Sequence, residues 1–307
     1  RQRQMCIRDS CGITQEEMLE QMHEYIERLA VAQEMTEEET LRKLKEKYDG
    51  YHFTWPSPDI YNPFSLLNAL ERKKIDNYWF GSGTPTYLVE MLRKFHVLPS
   101  EVGHSMQAMA SDFDAPTEKM ESIVPLLYQS GHLTIKGYDE EFGMYRLGFP
   151  NREVEEGFVR FLFPFYANVN KVESPFEIQK FVREVRFGDY DSFFRRLQSF
   201  FANTTYEVIR EQELHYENVF FIVFKLVGFY TQVEYHTSKG RIDLVLQTDK
   251  LIYVMEFKLD GTAEEALQQI HDKHYALPFA SDRRKLFKIG VNFSAETRNI
   301  EKWIVEE

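Results

Sequence analysis

The stretch that most constrains this chain is residues 240–275, GRIDLVLQTDKLIYVMEFKLDGTAEEALQQIHDKHY. Two apolar runs here carry charge where a buried strand should not, and an amphipathic segment follows directly. Asp243 lies between Ile242 and Leu244, and Glu256 and Lys258 end the run that begins at Leu251. Strand side chains alternate faces, so Val254, Glu256 and Lys258 share one side while Met255 and Phe257 share the other. A charge on an otherwise apolar face costs several kcal/mol, in rough terms, unless it is paired, hydrated or metal-bound.

Thr248-Asp249-Lys250 is polar and turn-like between the runs. If Asp249 and Lys250 form a two-residue loop, Thr248 faces Leu251, Asp243 faces Glu256 and Arg241 faces Lys258. Opposed Cβ atoms are roughly 5 Å apart, and like charges there repel. Two carboxylates so placed suit a divalent cation, a shared proton or an Arg/Lys clamp. A slip of one residue would instead set Met255 opposite Asp243.

The second half of the stretch reads as a helix. Thr262 with Glu265 forms a capping box, and Ala266, Leu267, Ile270 and Leu277 are expected on its inner face. Upstream, Glu217–Val227 is an apolar helix ending near Gly228, and Tyr230–Tyr235 is a strand before a Ser238-Lys239-Gly240 turn. Downstream come a strand over Leu286–Phe293 and an edge strand over Ile300–Val305. Helix–strand–strand–strand–helix–strand is the order of an α/β sandwich.

The rest of the chain reads as mainly helical. Thr14 with Glu17, and Thr36 with Glu39, open two helices over 14–47, the first striped by Met18, Met22, Ile26 and Leu29. An aromatic, turn-rich segment runs from Tyr48 to Phe64, with Pro63 in the first turn of a helix through Leu70. Its aromatics are expected to pack on the helical core. Tyr78–Gly83 is a turn leading to a helix over Pro85–Phe95. Beyond a loop at Asp112–Pro116, Ile123–Tyr128 is a short helix, and Leu133–Ile135 pairs with Tyr145–Leu147 as a hairpin. Helices follow from Asn151, over Phe176–Val185 and over Tyr190–Phe201, the last two hinged at Gly188-Asp189.

With 307 residues and a formal net charge of −12, the chain offers no broad basic surface for nucleic acid, although residues 241–290 are close to balanced. The two cysteines, Cys6 and Cys11, rule out a disulfide framework, and a reducing, cytoplasmic setting is expected. The most apolar stretch, Val219–Tyr230, is short and broken by Lys225, so no membrane span or membrane partner is expected. Residues 1–10 read as a translated sequencing-adapter fragment and are set apart from the fold, with the natural chain expected to extend upstream. No G-x-x-x-x-G-K-[ST] occurs, the nearest approach being Gly143 to Gly148 before Phe149 and Pro150, so this chain is not expected to hydrolyse ATP by itself.

The CGITQEE start, YDGYHF, YNPFSLLNAL and NYWFGSGTP resemble the C-terminal end of an AAA-ATPase-like domain common in bacterial proteins of gut and anaerobic lineages. The ending GRIDLVLQ…VMEFKLDG…EEALQQI…Y…GVNFS is similar to the PD-(D/E)XK nuclease branch fused to such domains, with Ile242-Asp243 where the name has Pro-Asp. The resemblance implies four segments: 1–10 non-native, 11–98 the end of the ATPase-like domain, 99–205 a helical connection, and 206–307 a restriction-endonuclease-like α/β sandwich with a mixed sheet. It implies a metal-dependent nuclease acting on DNA. Asp243 and Glu256 would hold Mg²⁺ or Mn²⁺, with the Phe257 backbone carbonyl as a third ligand and Glu217 as an outer-shell or second-metal ligand. Lys258 would orient the attacking water or neutralise developing charge. Gln269, or alternatively Gln268, would bond a phosphate or the water, with Tyr275 completing that wall. ATP would enter only through the missing upstream domain, and oligomers would form through the ATPase-like part.

Blander readings stand beside these. A lone E-x-K on a strand is usually a solvated face, and Glu217 alone is a helix N-terminal charge favoured by the dipole. His271 and His274 lack further zinc ligands. Arg283-Arg284-Lys285 fits either a nucleic-acid backbone or a turn before the last strand. The alternative function is a catalytically inactive module of the same fold that binds nucleic acid or a protein under ATPase control.

Overall fold

The computed structural model describes residues 12–79, 86–104, 106–114, 121–167, 169–170, 172–202, 212–238 and 241–307, giving backbone alone at 114, 212–217, 235–238 and 241–243. Residues 1–10 and the Phe80–Gly83 part of the expected turn lie outside this set. The chain divides into two compact units, Arg1–Phe158 and Val159–Glu307.

In the first unit, α1 (Gln15–Ala32) and α2 (Glu37–Tyr48) pair with α3 (Pro63–Arg72). The capping box of α1 is complete, with Thr14 Oγ1 accepting from the Glu17 amide and the Glu17 carboxylate accepting from Thr14. At α2 only half of that device forms. Thr36 accepts from the Glu39 amide, but the Glu39 carboxylate takes an ion pair with Lys43 at 3.0 Å. Met18, Ile26 and Leu29 of the predicted stripe bury into one core with Leu44, Tyr48, Tyr61 and Leu66, while Met22 packs against that core partly buried. The aromatic loop closes on this core, Tyr48 Oη donating to the Asp76 carbonyl at 2.8 Å and Tyr51 Oη to Gly131 at 3.2 Å. A cavity of about 410 Å³ borders it, lined by Tyr51, Tyr61, Trp79 and Tyr128 among others.

After α4 (Tyr87–Lys94) the unit adds a small sheet of order β1-β3-β2, with β1 (Gln107–Ala108), β2 (Thr134–Asp139) and β3 (Met144–Gly148), and a short helix α5 (Val124–Gln129). Ile135 pairs with Leu147 as expected. Gly143 and Gly148 therefore bracket the second strand of a hairpin, which is not the strand-to-helix loop that cradles phosphate.

Two buried groups give this unit an opposed pH dependence. Burial holds the His132 imidazole down at about 4, and burial pushes the Asp49 carboxyl up to about 6. For the depressed histidine, stability is complete above the ordinary value near 6.5 and is lost as pH falls toward 4. For the raised carboxyl, stability is complete below the ordinary value near 3.8 and is lost as pH rises through 6. Each shift is worth about 3 kcal/mol at most, with opposite sign over the same window. Asp49→Asn is therefore expected to steepen the fall in melting temperature between pH 6.5 and 4. A thermal-melt series in which the variant and the parent show equal slopes would contradict this.

The second unit is a five-stranded sheet with helices on both faces. Its helices are α6 (Arg152–Tyr166), within which the division between units falls, α7 (Ser174–Phe187), α8 (Tyr190–Ala202), α9 (Gln212–Gly228) and α10 (Ala263–Asp272). Its strands are β4 (Gln232–Ser238), β5 (Arg241–Gln247), β6 (Leu251–Leu259), β7 (Lys285–Ser294) and β8 (Asn299–Glu306), in the order β4-β5-β6-β7-β8. β6 and β7 run parallel and every other pair antiparallel, so the sheet is mixed, and β8 is an edge strand. The parallel pair needs a crossover, and α10 supplies it.

Each face has its own cover. Tyr253 and Phe257 point toward α7, α8 and α9, where Phe257 meets Phe220 at 4.9 Å between ring centres and Tyr253 Oη donates to the Val185 carbonyl at 2.6 Å. Phe193, Phe194, Leu197, Phe200 and Phe201 are all buried. The helices α7 and α8, placed in the connecting region by the sequence, thus belong to the same compact unit as the sheet, α8 packing on β8. Gly188 adopts φ 81° and ends α7 in the left-handed conformation that glycine tolerates. Ile252 and Val254 point the other way, into a cluster with Ile270, Val245, Leu267 and Tyr275. Leu277 departs from expectation. The α10 helix stops at Asp272 and His274 takes φ 55°, so Leu277 falls in a 3₁₀ turn and is 69% exposed.

Candidate active site

The hairpin has the register that the two-residue loop predicts. The Thr248 amide donates to the Leu251 carbonyl at 2.8 Å, Asp243 pairs with Glu256, and Arg241 pairs with Lys258. The Thr248 hydroxyl accepts from the Leu251 amide at 3.0 Å, which locks the turn and disposes of the one-residue slip. Arg284 clamps the same turn, donating to the Thr248 carbonyl at 3.0 Å and to the Gln247 side chain at 2.9 Å while paired with Asp282. Lys285 pairs with Glu307 at 2.6 Å. Two of the three basic residues in that run are thereby engaged in holding the sheet together.

Glu256 sits on the α10 face of β6 and is fully buried, with Lys258 Nζ 3.7 Å from its Oε1. Lys258 remains 26% exposed and also donates to Gln269 Oε1 on α10. Gln268 turns instead to Asp272, 2.8 Å away on its own helix, which separates the two glutamines. Tyr275 packs against the Ile252–Val254–Ile270 cluster beside them. The site therefore brings together Glu256, Lys258 and Gln269, with Asp243 at the register position facing Glu256.

Two residues stand differently. Glu217 lies one turn before Phe220 on α9, and Phe220 packs on Phe257, the sheet face opposite to that of Glu256. Phe257 is paired on both sides, with Ile242 on β5 and Val291 on β7, so its carbonyl lies in the sheet plane and would serve a metal only where that ladder opens.

The helix that carries Gln269 is fixed at both ends. Thr262 accepts from the Glu265 amide at 3.0 Å and Glu265 accepts from the Thr262 amide at 2.9 Å. Glu264 pairs with Lys302 on β8, and His271 meets Glu306 at 3.0 Å. That contact gives His271 a structural task in place of zinc binding. Thr262→Ala is expected to cost about 1 kcal/mol of stability, read as a shift in the denaturant midpoint of the sheet-containing unit. An unchanged midpoint would show that the two ion pairs hold the helix without its cap.

The parallel register adds residues that the sequence could not place. Gly290 stands beside Glu256 and Asn292 beside Lys258 on β7. Asn292 Nδ2 donates to Glu301 at 3.1 Å, while its Oδ1 is buried and accepts no hydrogen bond among the described residues. No periodicity signals such a neighbour, because a crossover helix separates β7 from β6 in sequence.

The buried Glu256 carboxylate, the buried Asn292 amide oxygen on the neighbouring strand and the Lys258 ammonium, with Asp243 at the register position facing Glu256, give a set of hard-oxygen residues of the kind that suits a divalent cation. Among the described residues the grouping His23, Glu27 and Glu37 on α1 and α2 also has metal-binding spacing. There His23 lies between the two carboxylates at 3.3 and 3.4 Å on the open surface, the geometry of a paired histidine.

Residues 211–303 match the PD-(D/E)XK nuclease superfamily, so this part of the chain is a domain of that superfamily. Proteins of that class characteristically use divalent metals. The chain is also 29% identical over 275 residues to a protein of Azotobacter chroococcum mcd 1 described as an uncharacterized protein in the vnfD 5' region. The match covers 84% of this chain and 51% of that protein, so the chain spans about half the length of this curated relative. No solved structure matches significantly. No helix among the described residues is long and apolar enough to cross a membrane.

Proposed function

We propose that the domain hydrolyses phosphodiester bonds in DNA with Mg²⁺ or Mn²⁺ bound by Asp243 and Glu256. The observation that carries this reading is the Asp243–Glu256 register with Lys258 on the same face and Gln269 held on Lys258. A binding-only domain has no need of two opposed carboxylates, one of them fully buried, on a central strand pair. A bound cation would polarise the scissile phosphate and lower the pKa of water. Lys258, partly exposed at the rim, would supply positive charge to the phosphate oxygens as negative charge builds on them. Gln269 would hold that ammonium in place and offer its amide N–H to a phosphate oxygen. Glu217 would act from outside as a secondary ligand, and the Phe257 carbonyl would join where the ladder opens.

The wider protein is read as follows. Residues 11–98 are the end of an AAA-ATPase-like domain, 99–205 are the connection, of which α7 and α8 pack in the same compact unit as the sheet, and 206–307 carry the nuclease fold. ATP binding and oligomer contacts belong to that ATPase-like part, in a cytoplasmic protein.

The test is cleavage of plasmid, linear duplex, single-stranded DNA and RNA with Mg²⁺ or Mn²⁺, against Asp243→Asn. Cleavage of DNA that chelation stops and Asp243→Asn lacks is the expected result. No cleavage of any substrate, together with nucleic-acid binding but no metal uptake by calorimetry, would replace this reading with an inactive binding module.

A further inference from the structure

We propose that Gly290 is a positioning residue of this site, setting the height of α10 above the sheet so that Gln269 reaches Lys258. The activity part of this inference rests on the nuclease reading; its geometric part does not. Gly290 does not adopt the left-handed backbone for which glycine is usually needed, so space is what its missing side chain provides. A Cβ at this position would lie 2.1 Å from the Ala263 carbonyl oxygen and 2.5 Å from the Leu267 amide nitrogen. Both are backbone atoms of α10, one turn apart, and neither can swing aside as a side chain could. Only displacement of the helix, by roughly 1 Å, would restore ordinary contact.

That contact lies where the site needs it. Gly290 is the parallel partner of Glu256, so the helix backbone touches the sheet beside the buried carboxylate. Gln269 follows Leu267 by two residues on the same short helix, and its Oε1 accepts from Lys258. The caps and ion pairs at the helix ends fix its direction, while Gly290 fixes its distance. Catalytic groups tolerate little error of this kind: a misplacement near 1 Å can cost about 10²-fold in rate.

The experiment reads the Lys258–Gln269 contact directly, by the ¹⁵N resonance of the Lys258 ammonium in the full chain. Gln269→Ala should move that resonance in the parent and leave it unmoved in a Gly290→Ala background, where the contact is already lost. Ala266→Val, a milder enlargement on the buried face of the same helix, should weaken the Gln269→Ala response in the same way. A full response in either background would overturn the proposal. Loss of folding in both variants would also overturn it, by showing that the close approach serves the fold as a whole. Where the parent cleaves DNA, Gly290→Ala should lower kcat by about 10²-fold with KM kept, and Gln269→Ala should add nothing further. A parent without cleavage defeats the nuclease reading alone and leaves the resonance test standing.

Discussion

Lys258→Ala should reduce phosphodiester cleavage by at least about 10²-fold while leaving the fold intact. Loss of one preorganised group that stabilises transition-state charge typically costs 10²–10³ in kcat, roughly, as for an oxyanion-hole donor. Lys258 is well placed for such a role because it is neither buried nor free. It is 26% exposed, lies 3.7 Å from Glu256 and is held by Gln269. Its removal leaves a fully buried carboxylate without the nearby ammonium, so a modest loss of stability should accompany the loss of rate. Lys258→Arg should rescue little, since a planar fork cannot occupy the same point between Glu256 and Gln269. Steady-state cleavage rates beside urea midpoints decide the matter: a variant retaining a tenth or more of parental activity would remove Lys258 from the chemistry.

Glu256→Gln should abolish metal-dependent cleavage and at the same time stabilise the protein by about 1–3 kcal/mol. The carboxylate is 0% exposed on an interior strand, faces Asp243 across the ladder and sits under α10. Burying one charge opposite another of the same sign is costly without a cation. The amide keeps the shape and removes the charge. Lys258 would not be stranded, being partly exposed and still bonded to Gln269. Added Mg²⁺ should raise the melting temperature of the parent and not that of the variant, because only the parent keeps both carboxylates. A variant less stable than the parent in metal-free buffer would mean that the charge is fully compensated within the fold and is there for structure.

These two variants separate what a strand charge does for folding from what it does for chemistry, and the sequence already carried much of that distinction. Asp243, Glu256 and Lys258 were legible as misplaced charges because strand alternation is strict and the Thr248–Leu251 turn is short. The capped helix carrying Gln269 was legible from Thr262 and Glu265. The helices of the first unit followed from their caps and stripes. Leu277 was misplaced because a helical stripe says nothing of where the helix stops, and His274 ends it first. Thr36 and Glu39 close only half of the cap at the start of α2 for a related reason: Glu39 has two partners in reach, Thr36 and Lys43, and spacing does not choose between them.

The sequence by itself determined the local elements and the antiparallel hairpin, since both depend on residues a few positions apart. Tertiary structure alone decided the rest. It set β7 parallel to β6, which brought Gly290 and Asn292 beside Glu256 and Lys258. It turned Gln269, and not Gln268, toward the lysine, and put α9 on the opposite face from Glu256. Each of these depends on how a helix crosses back over a sheet, a choice made by packing between residues tens of positions apart. Local spacing carries no record of it.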